Sequence, residues 1–354
     1  MIIVNLVIVV FFIYMLFALI ESLTSAKNKA LLTLEKTEVI KGIATLMIVL
    51  SHIIQYVGNK NIVCGGGKLS ITVIRSFGGI GVAIFFFLSG FGNFISLSNV
   101  KERKLIILKV LRKILRLIST FIICFILVFS VKLIISSLVD IPIVFEKSIQ
   151  SLFSLRMEGS TTWYLKVQIL LYIFMMFDFL FVNNKYRNVF LIFLTIAYVI
   201  FANNYGLLDF WWKTSFCFSM GAIIAKNRKI IEKFIEHKSL LTLIASFFLV
   251  VLSYIWLIKD RNYAIVVQLF SFSVLSIGVC FICSLLNIKN KFLRIVGNNS
   301  YPVYLIHIGL AEILLTNNNV ELSVIVFIIL TIILSAFVFF FDATIANFNN
   351  NWIK

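Results

Sequence analysis

Proline and charged residues are both scarce in this sequence. Only two prolines occur in 354 residues, and charged side chains make up 13% of the chain, against 61% for hydrophobic residues. So few prolines fit many uninterrupted helices better than a large aqueous domain with proline-rich loops. A soluble core of this length would leave too much apolar surface in water. The composition therefore predicts an all-α, polytopic membrane protein with lipid as its solvent.

Other features are missing as well. The five cysteines are an odd number scattered mostly through apolar segments, so we do not expect a disulfide framework. Cys280 and Cys283 form a lone C-x-x-C, whereas zinc sites usually need about four ligands, so no metal is expected. No soluble linker, second domain or repeat of fixed period is visible. We expect one membrane domain over residues 1–354.

Apolar segments of about 17 to 25 residues, the length that crosses a bilayer as a helix, recur along the chain. The first has no basic region before it and no cleavage site, so we expect it to be retained as a helix. The segments predict about eleven transmembrane helices, near residues 2–22, 40–58, 77–97, 114–138, 163–182, 188–204, 208–225, 239–258, 264–286, 300–316 and 320–341.

The basic residues indicate an orientation. With these spans, one set of alternate loops and termini carries 22 of the 32 Lys and Arg residues, the other set carries seven, and three fall within spans. Because cytoplasmic loops collect Lys and Arg, we expect a cell-membrane protein with its N-terminus outside and its C-terminus inside. The net charge of +17 then reflects orientation and attraction to anionic headgroups rather than nucleic-acid binding.

Three polar side chains are predicted at membrane depth. At 1.5 Å per helical residue, His52 lies about 16 Å beyond Lys41, His307 lies roughly 12 Å inside its span, and Ser89 lies about 12 to 18 Å above the next basic loop. Each histidine alone fits a neutral core residue bonded to a carbonyl or a serine. Three polar groups from distant segments at a similar depth favour a functional site, and histidine suits proton removal from a hydroxyl.

Three patches of sequence surround these residues, with Trp163-Tyr164-Leu165 as a weaker fourth. They are Lys41-Gly42-Ile43-Ala44 followed by His52, Gly79-Ile80-Gly81-Val82 running into Phe86-Phe87-Leu88-Ser89-Gly90-Phe91, and Gly297-x-x-Ser300-Tyr301-Pro302-x-Tyr304-Leu305-x-His307. In order and spacing they resemble acyltransferase family 3, membrane enzymes that move acyl groups from coenzyme A onto hydroxyls, commonly of cell-envelope sugars. A basic helix start at Arg112, Lys113 and Arg116 adds to the resemblance. Two departures stand out: Lys41 replaces the family's usual arginine, and Leu117-Ile118-Ser119 stands where a proline often follows this basic helix start.

The resemblance covers residues 38–341 and implies a ten-helix core, which makes residues 1–30 an extra helix with a basic loop. It implies His52 as general base, acting either on the acceptor hydroxyl or on a relay of the acyl group. It implies His307 as a further catalytic residue that orients the acceptor or the His52 ring. Donor-binding residues for acetyl-CoA would be Lys41, Ser89, Lys109, Arg112, Lys113 and Arg116. Acceptor-binding residues would be Arg156, Glu158, Trp163, Tyr164, Tyr301 and Tyr304.

Each of these sets also has a structural interpretation. The positive-inside rule alone predicts basic residues at Lys109 to Arg116. Ser89 and Gly90 would let an acyl chain or pantetheine pass close to the backbone, but such a small pair is also common where membrane helices pack. Tyr301 and Tyr304 fit hydrogen bonds between helices. Trp163 and Tyr164 fit an aromatic belt at the membrane interface.

The function that the resemblance implies is O-acyl transfer, with acetyl as the expected group, from cytoplasmic acyl-CoA to an envelope sugar or lipid-linked glycan. One alternative is a transporter or flippase of a lipid-linked sugar, since many helices with buried polar residues also describe a permeation path. Another is a membrane sensor or assembly partner that has lost activity, for which Lys41 in place of arginine is the hint.

Overall fold

The computed structural model describes residues 6–15, 31–58, 67–139, 145–157, 162–259, 265–286, 288–315 and 320–352. Across these ranges the chain is helical and contains no β-strand, as the composition predicts. The helices are α1 (Leu6–Met15), α2 (Leu34–Gly58), α3 (Gly67–Ser98), α4 (Arg103–Val139), α5 (Phe145–Phe153), α6 (Trp163–Phe181), α7 (Val189–Asn204), α8 (Phe216–Lys226), α9 (Arg228–His237), α10 (Ser239–Lys259), α11 (Ile265–Leu286), α12 (Lys291–Asn298), α13 (Ser300–Leu314) and α14 (Val320–Trp352), with a 3₁₀ turn η1 (Asp209–Trp211).

Seven helices in the described ranges are long and apolar enough to cross a membrane. They lie in α2, α3, α4, α6, α10, α11 and α14, while α1, α7 and α13 are shorter apolar helices. The predicted span 208–225 differs most, because it starts with η1 and its helix α8 has 11 residues. A helix of that length rises about 16 Å, roughly half the hydrocarbon thickness. The length and apolar composition of these helices are those of a membrane protein. The number of eleven crossings stays a prediction.

Burial separates the inner helices from those that face outward. In the most apolar 18-residue segment of each helix, 67% of α2 and 56% of α3 are buried inside the protein. In α10 the buried share is only 17%. Exposed Ile244, Phe247 and Phe248 on α10 present an apolar surface of the kind that lipid covers. Helix α3 packs against α2, α8 and α11, and α13 packs against α2, α4 and α14. The polar residues of α2, α3 and α13 therefore lie inside the bundle.

Two pairs of glycines bring inner helices into backbone contact. A Cβ on Gly90 of α3 would lie 1.9 Å from the Phe218 carbonyl oxygen of α8, and one on Gly221 of α8 would lie 2.0 Å from the Phe87 carbonyl oxygen. Small residues allow such close approach of membrane helices. The space beside Gly90 is thus filled by α8, which supports the packing interpretation of this glycine.

The second pair joins α2 to α12. A Cβ on Gly42 would lie 2.0 Å from the Leu293 carbonyl oxygen, and one on Gly297 would lie 1.7 Å from the Glu38 carbonyl oxygen. Nearby, Arg294 Nε donates to Glu38 Oε2 over 2.6 Å, and this bond raises the pKa of the exposed Arg294 guanidinium. The glycines of two family-like patches therefore hold the N-terminal end of α2 against α12, just before α13 begins.

Candidate functional site

The structure brings the two histidines predicted at membrane depth into contact. His52 on α2 and His307 on α13 lie with Nδ1 of His52 2.9 Å from Nε2 of His307. About one turn farther along the same two helices, Tyr56 donates a hydrogen bond to Glu312 over 2.7 Å. On the other side of α2, Ser51 Oγ donates to the Arg75 carbonyl of α3 over 2.8 Å. His52 is thereby held between α3 and α13.

The proton positions of the histidine pair follow from its partners. Nδ1 of His307 lies 2.8 Å from the Val303 carbonyl oxygen, which only accepts, so this nitrogen carries the proton. In the neutral pair Nε2 of His307 then accepts, and Nδ1 of His52 donates to it. This leaves Nε2 of His52 with a lone pair, and no hydrogen bond from a described residue engages it. The arrangement is that of a base oriented by a second group.

A cavity of about 500 Å³ lies beside His52. Its volume falls in the range of roughly 300 to 1,000 Å³ common for small-molecule sites. Gly78 and Gly79 line it on α3, and Trp163 lines it at the start of α6. The remaining walls come from α2, α13 and the segment 209–214.

The cavity extends in one direction from the histidine pair. Its lining runs from Ile48, Val82 and Tyr304 to Tyr56 and Lys213, toward the ends of α2 and α6 that lie opposite the basic loops. In the predicted orientation that side is the outer face. His52 therefore lies inside a cavity that extends away from the helix α4 with its basic start.

A network of polar side chains joins α3, α4 and α6 toward the basic start of α4, on the side from which the cavity extends away. Lys113 of α4 donates a hydrogen bond to Asn93 Oδ1 of α3, and Asn93 Nδ2 donates to the Ser89 carbonyl over 2.9 Å. Gln168 Nε2 of α6 donates to Ser89 Oγ over 2.8 Å, and Ser89 Oγ donates to the Tyr172 hydroxyl over 3.3 Å. Ser89 is thus part of this network, and it is not among the described residues that line the cavity. Buried polar chains of this kind are costly in a membrane and mark function by default.

The other predicted donor-side residues lie around this network. Lys109 donates a hydrogen bond to the Ser96 carbonyl over 3.2 Å, which joins α4 to the end of α3. Arg112 and Arg116 follow on the same helix, and Lys41 on α2 lies within electrostatic reach of Arg116 and Glu38. These cations gather at one end of the bundle.

The predicted acceptor residues divide into two groups. Trp163 and Tyr304 line the cavity, whereas Tyr164 packs between the rings of Phe86 and Tyr304, with centroids 4.9 and 5.2 Å away. The Tyr301 hydroxyl donates to the Leu117 carbonyl over 3.0 Å, a bond between helices. Arg156 lies before α6 and does not line the cavity among the described residues. Glu158 lies outside the described residues.

Several cavity residues were missed by sequence reasoning. Gln55 and Tyr56 lie three and four positions after His52, so helical spacing alone would have placed them on its face. Asp209 and Lys213 form an ion pair of 2.7 Å at i, i+4, and Lys213 inside a predicted span was a signal of its own. Arg75 and Thr214 carried no pattern that pointed to them.

Comparison with known proteins supports the resemblance that the sequence patches carry. The family model described as an acyltransferase domain, that of acyltransferase family 3, matches residues 35–341. No curated protein and no solved structure matches the chain. The matched range contains α2 to α13 and most of α14, with both histidines and the cavity. The chain therefore belongs to acyltransferase family 3.

Proposed function

We propose that this protein transfers an acyl group, expected to be acetyl, from acyl-CoA to a hydroxyl of an envelope sugar or lipid-linked glycan. The family assignment establishes acyl transfer in general terms. The observation that supports the finer proposal is the His52–His307 pair beside the cavity, with a lone pair left on His52 Nε2. A neutral imidazole in this state is a general base for an alcohol.

The cavity walls support a sugar as the acceptor. The rings of Trp163 and Phe210 lie 5.6 Å apart at one wall, where they offer apolar faces to a sugar ring. Gln55 and the Asp209–Lys213 ion pair offer donors and acceptors to hydroxyl groups. In the predicted orientation, this acceptor enters from the outer side of a cell membrane.

The basic end of the bundle supports acyl-CoA as the donor. The phosphates of coenzyme A need cations, and Lys109, Arg112, Lys113 and Arg116 supply them on α4, with Lys41 close by. The network from Lys113 through Asn93 to Ser89 continues from these cations into the bundle. In the predicted orientation this end lies in the cytoplasm, where acyl-CoA is made.

The reaction is a direct transfer. Nε2 of His52 takes the proton of the acceptor hydroxyl as its oxygen forms a bond to the thioester carbonyl carbon. The carbonyl electron pair moves to oxygen and then returns, and the carbon–sulfur bond breaks. The imidazolium of His52, bonded through Nδ1 to His307, gives its proton to the departing thiolate. The products are an ester and free coenzyme A.

His307 is a positioning residue in this scheme, and its replacements are expected to differ. His307→Leu removes the acceptor for His52 Nδ1 and is expected to lower kcat about 100-fold, because the ring loses its orientation and the support of its charge. His307→Gln restores an acceptor at a similar reach and is expected to lose only about tenfold. The measurement is kcat and KM for acetyl-CoA. Equal losses in both variants, or a loss confined to KM, would contradict this role.

A transfer assay tests the function itself. Purified protein in liposomes receives radioactive acetyl-CoA outside and an envelope glycan fraction inside, in the orientation that places the basic loops outside. We expect label to appear in the glycan and to be released by mild alkali, as an ester is. Unmodified glycan that crosses the vesicle membrane without label would indicate a flippase instead.

A further inference from the structure

The Tyr304 hydroxyl is a buried polar group at the cavity, and with Thr214 Oγ1 it belongs to the buried side-chain atoms that make no hydrogen bond among the described residues. Tyr304 is 4% exposed, and its hydroxyl has no hydrogen-bond partner among the described residues. The hydroxyls of Tyr172, Tyr198 and Tyr301 all have partners, namely Ser89, the Trp211 carbonyl and the Leu117 carbonyl. A buried hydroxyl without a partner is unfavourable unless a ligand completes it. Because Tyr304 lines the cavity, such a ligand has a place to bind.

The ring of Tyr304 is held in a fixed position relative to the histidine pair. Tyr304 lies one turn before His307 on α13, and the two ring centroids are 5.7 Å apart at an angle of 63°. On another side the ring meets Tyr164 edge to face, with centroids 5.2 Å apart. These contacts fix the Tyr304 ring relative to His307. Because His307 lies 2.9 Å from His52, Tyr304 is also fixed relative to His52. A fixed donor in a water-poor site is what stabilises developing negative charge.

The place of Tyr304 along the cavity suggests which substrate atom it meets. With Ile48 and Val82 it forms the end of the cavity nearest the basic face, while Gln55, Asp209 and Lys213 lie toward the other end. Under the proposed function, a thioester from the basic face would reach the cavity first at the end that Tyr304 forms.

We propose that the Tyr304 hydroxyl donates a hydrogen bond to the carbonyl oxygen of the acyl thioester and stabilises the oxyanion that forms there. The inference rests on the proposed acyl transfer and assigns it a second catalytic residue besides His52. As the attacking oxygen bonds to the carbonyl carbon, the carbonyl electron pair moves to the oxygen that faces Tyr304. When that pair returns, the carbon–sulfur bond breaks and the thiolate takes the proton held by His52.

The change Tyr304→Phe tests this role because it removes the hydroxyl and keeps the ring. We expect kcat for glycan acetylation to fall about 100- to 1,000-fold, the usual effect of losing one oxyanion donor, with KM for acetyl-CoA within about twofold of its original value. Thermal unfolding in detergent should be unchanged, since the hydroxyl has no protein partner to lose. Tyr14→Phe, which removes a part-buried hydroxyl that donates to Asn290 Oδ1 and does not line the cavity, is the matched control and should keep full activity.

A second measurement separates an oxyanion role from a role in orienting the sugar. Hydrolysis of acetyl-CoA without glycan, followed as release of free thiol, uses water as acceptor but forms the same oxyanion. We expect Tyr304→Phe to slow hydrolysis and transfer by the same factor. Slower transfer with unchanged hydrolysis, or no change in either rate, would overturn the proposal while the proposed function stands. Wild-type protein that neither hydrolyses nor transfers would overturn the proposed function, and the role of Tyr304 with it.

Discussion

His52→Ala is expected to lower the rate of acyl transfer about 100- to 10,000-fold, the range that a general base contributes. His52 lines the cavity, and its Nδ1 is occupied by His307, so Nε2 is the nitrogen left to take the proton of the acceptor. No other imidazole reaches this place, because His307 is fully buried and bonded at both nitrogens. The measurement is the initial rate of label transfer from acetyl-CoA to glycan in liposomes.

The third histidine of the chain provides the matched control. His237 is exposed at the end of α9, where its Nδ1 lies 3.0 Å from the Lys233 carbonyl. His237→Ala is therefore expected to leave transfer unchanged. Added imidazole should restore part of the activity of His52→Ala, since the ring would enter the space left beside the cavity, and should do nothing for the wild-type protein. Full transfer by His52→Ala would remove this residue as the base.

Stability must be followed in the same variant. His52→Ala leaves Nε2 of His307 buried without its donor, and such a loss costs about 1 to 3 kcal/mol. His52→Gln keeps a donor group that reaches toward His307 but has no basic nitrogen, so it should unfold near the wild-type temperature while remaining inactive. The two variants together separate a loss of chemistry from a loss of fold.

Sequence reasoning predicted the membrane class from composition and from the length of the apolar segments. It predicted the depth of the histidines from the rise of an α-helix. The rise of 1.5 Å per residue places His52 and His307 at comparable depth without knowledge of packing. It gives no information on the rotation of α2 against α13, which decides whether the rings touch. The direction of the hydrogen bond depends on the Val303 carbonyl, and that contact is visible only in the structure.

The wall at 209–214 shows where the sequence was misleading. Hydropathy joined Phe210, Trp211 and Trp212 to the apolar residues of α8, so one continuous helix was predicted over 208–225. In the structure a turn with Gly206 at a φ of +75° precedes η1, and the helix starts only at Phe216. The Asp209–Lys213 ion pair keeps the charged groups of this segment at the cavity rather than in lipid. A hydropathy window averages over such a break and does not detect it.

Helix α4 starts earlier in the structure than the sequence predicted, and the reason is its basic residues. The predicted span began at residue 114, where the apolar run begins, but the helix starts at Arg103. Lys and Arg are good helix formers, so a basic segment continues the helix outward instead of ending it. The consequence for the site is that Lys109, Arg112, Lys113 and Arg116 are on a helix continuous with the span, which fixes their position relative to Asn93 and Ser89.

Gly90 illustrates a limit that no single sequence overcomes. A glycine beside Ser89 fits either a path for a substrate or a contact with another helix, and the choice depends on what lies opposite. Here the opposite atom is the Phe218 carbonyl oxygen, and Gly221 on α8 makes the reciprocal approach to the Phe87 carbonyl oxygen. Close packing of α3 with α8 also holds the segment that precedes α8, which contains Thr214 at the cavity.

Gly90→Ala is therefore expected to destabilise the protein, while Gly92→Ala, two positions along the same helix, is not. The new methyl at position 90 would lie 1.9 Å from a backbone oxygen that no side-chain rotation moves away, so α3 and α8 must separate. Overpacking of this kind costs about 1 to 3 kcal/mol. At Gly92 the described structure places nothing within 4 Å of such a methyl, and alanine favours a helix over glycine.

Unfolding in detergent, followed by tryptophan fluorescence, measures the difference between these variants. The double variant Gly90→Ala with Gly221→Ala adds a sharper test, because one separation of α3 from α8 makes room for both methyls. Its loss of stability should be smaller than the sum of the two single losses, as is usual for residues in contact. Additive losses, or equal effects of Gly90→Ala and Gly92→Ala, would show that the two helices do not meet at these glycines.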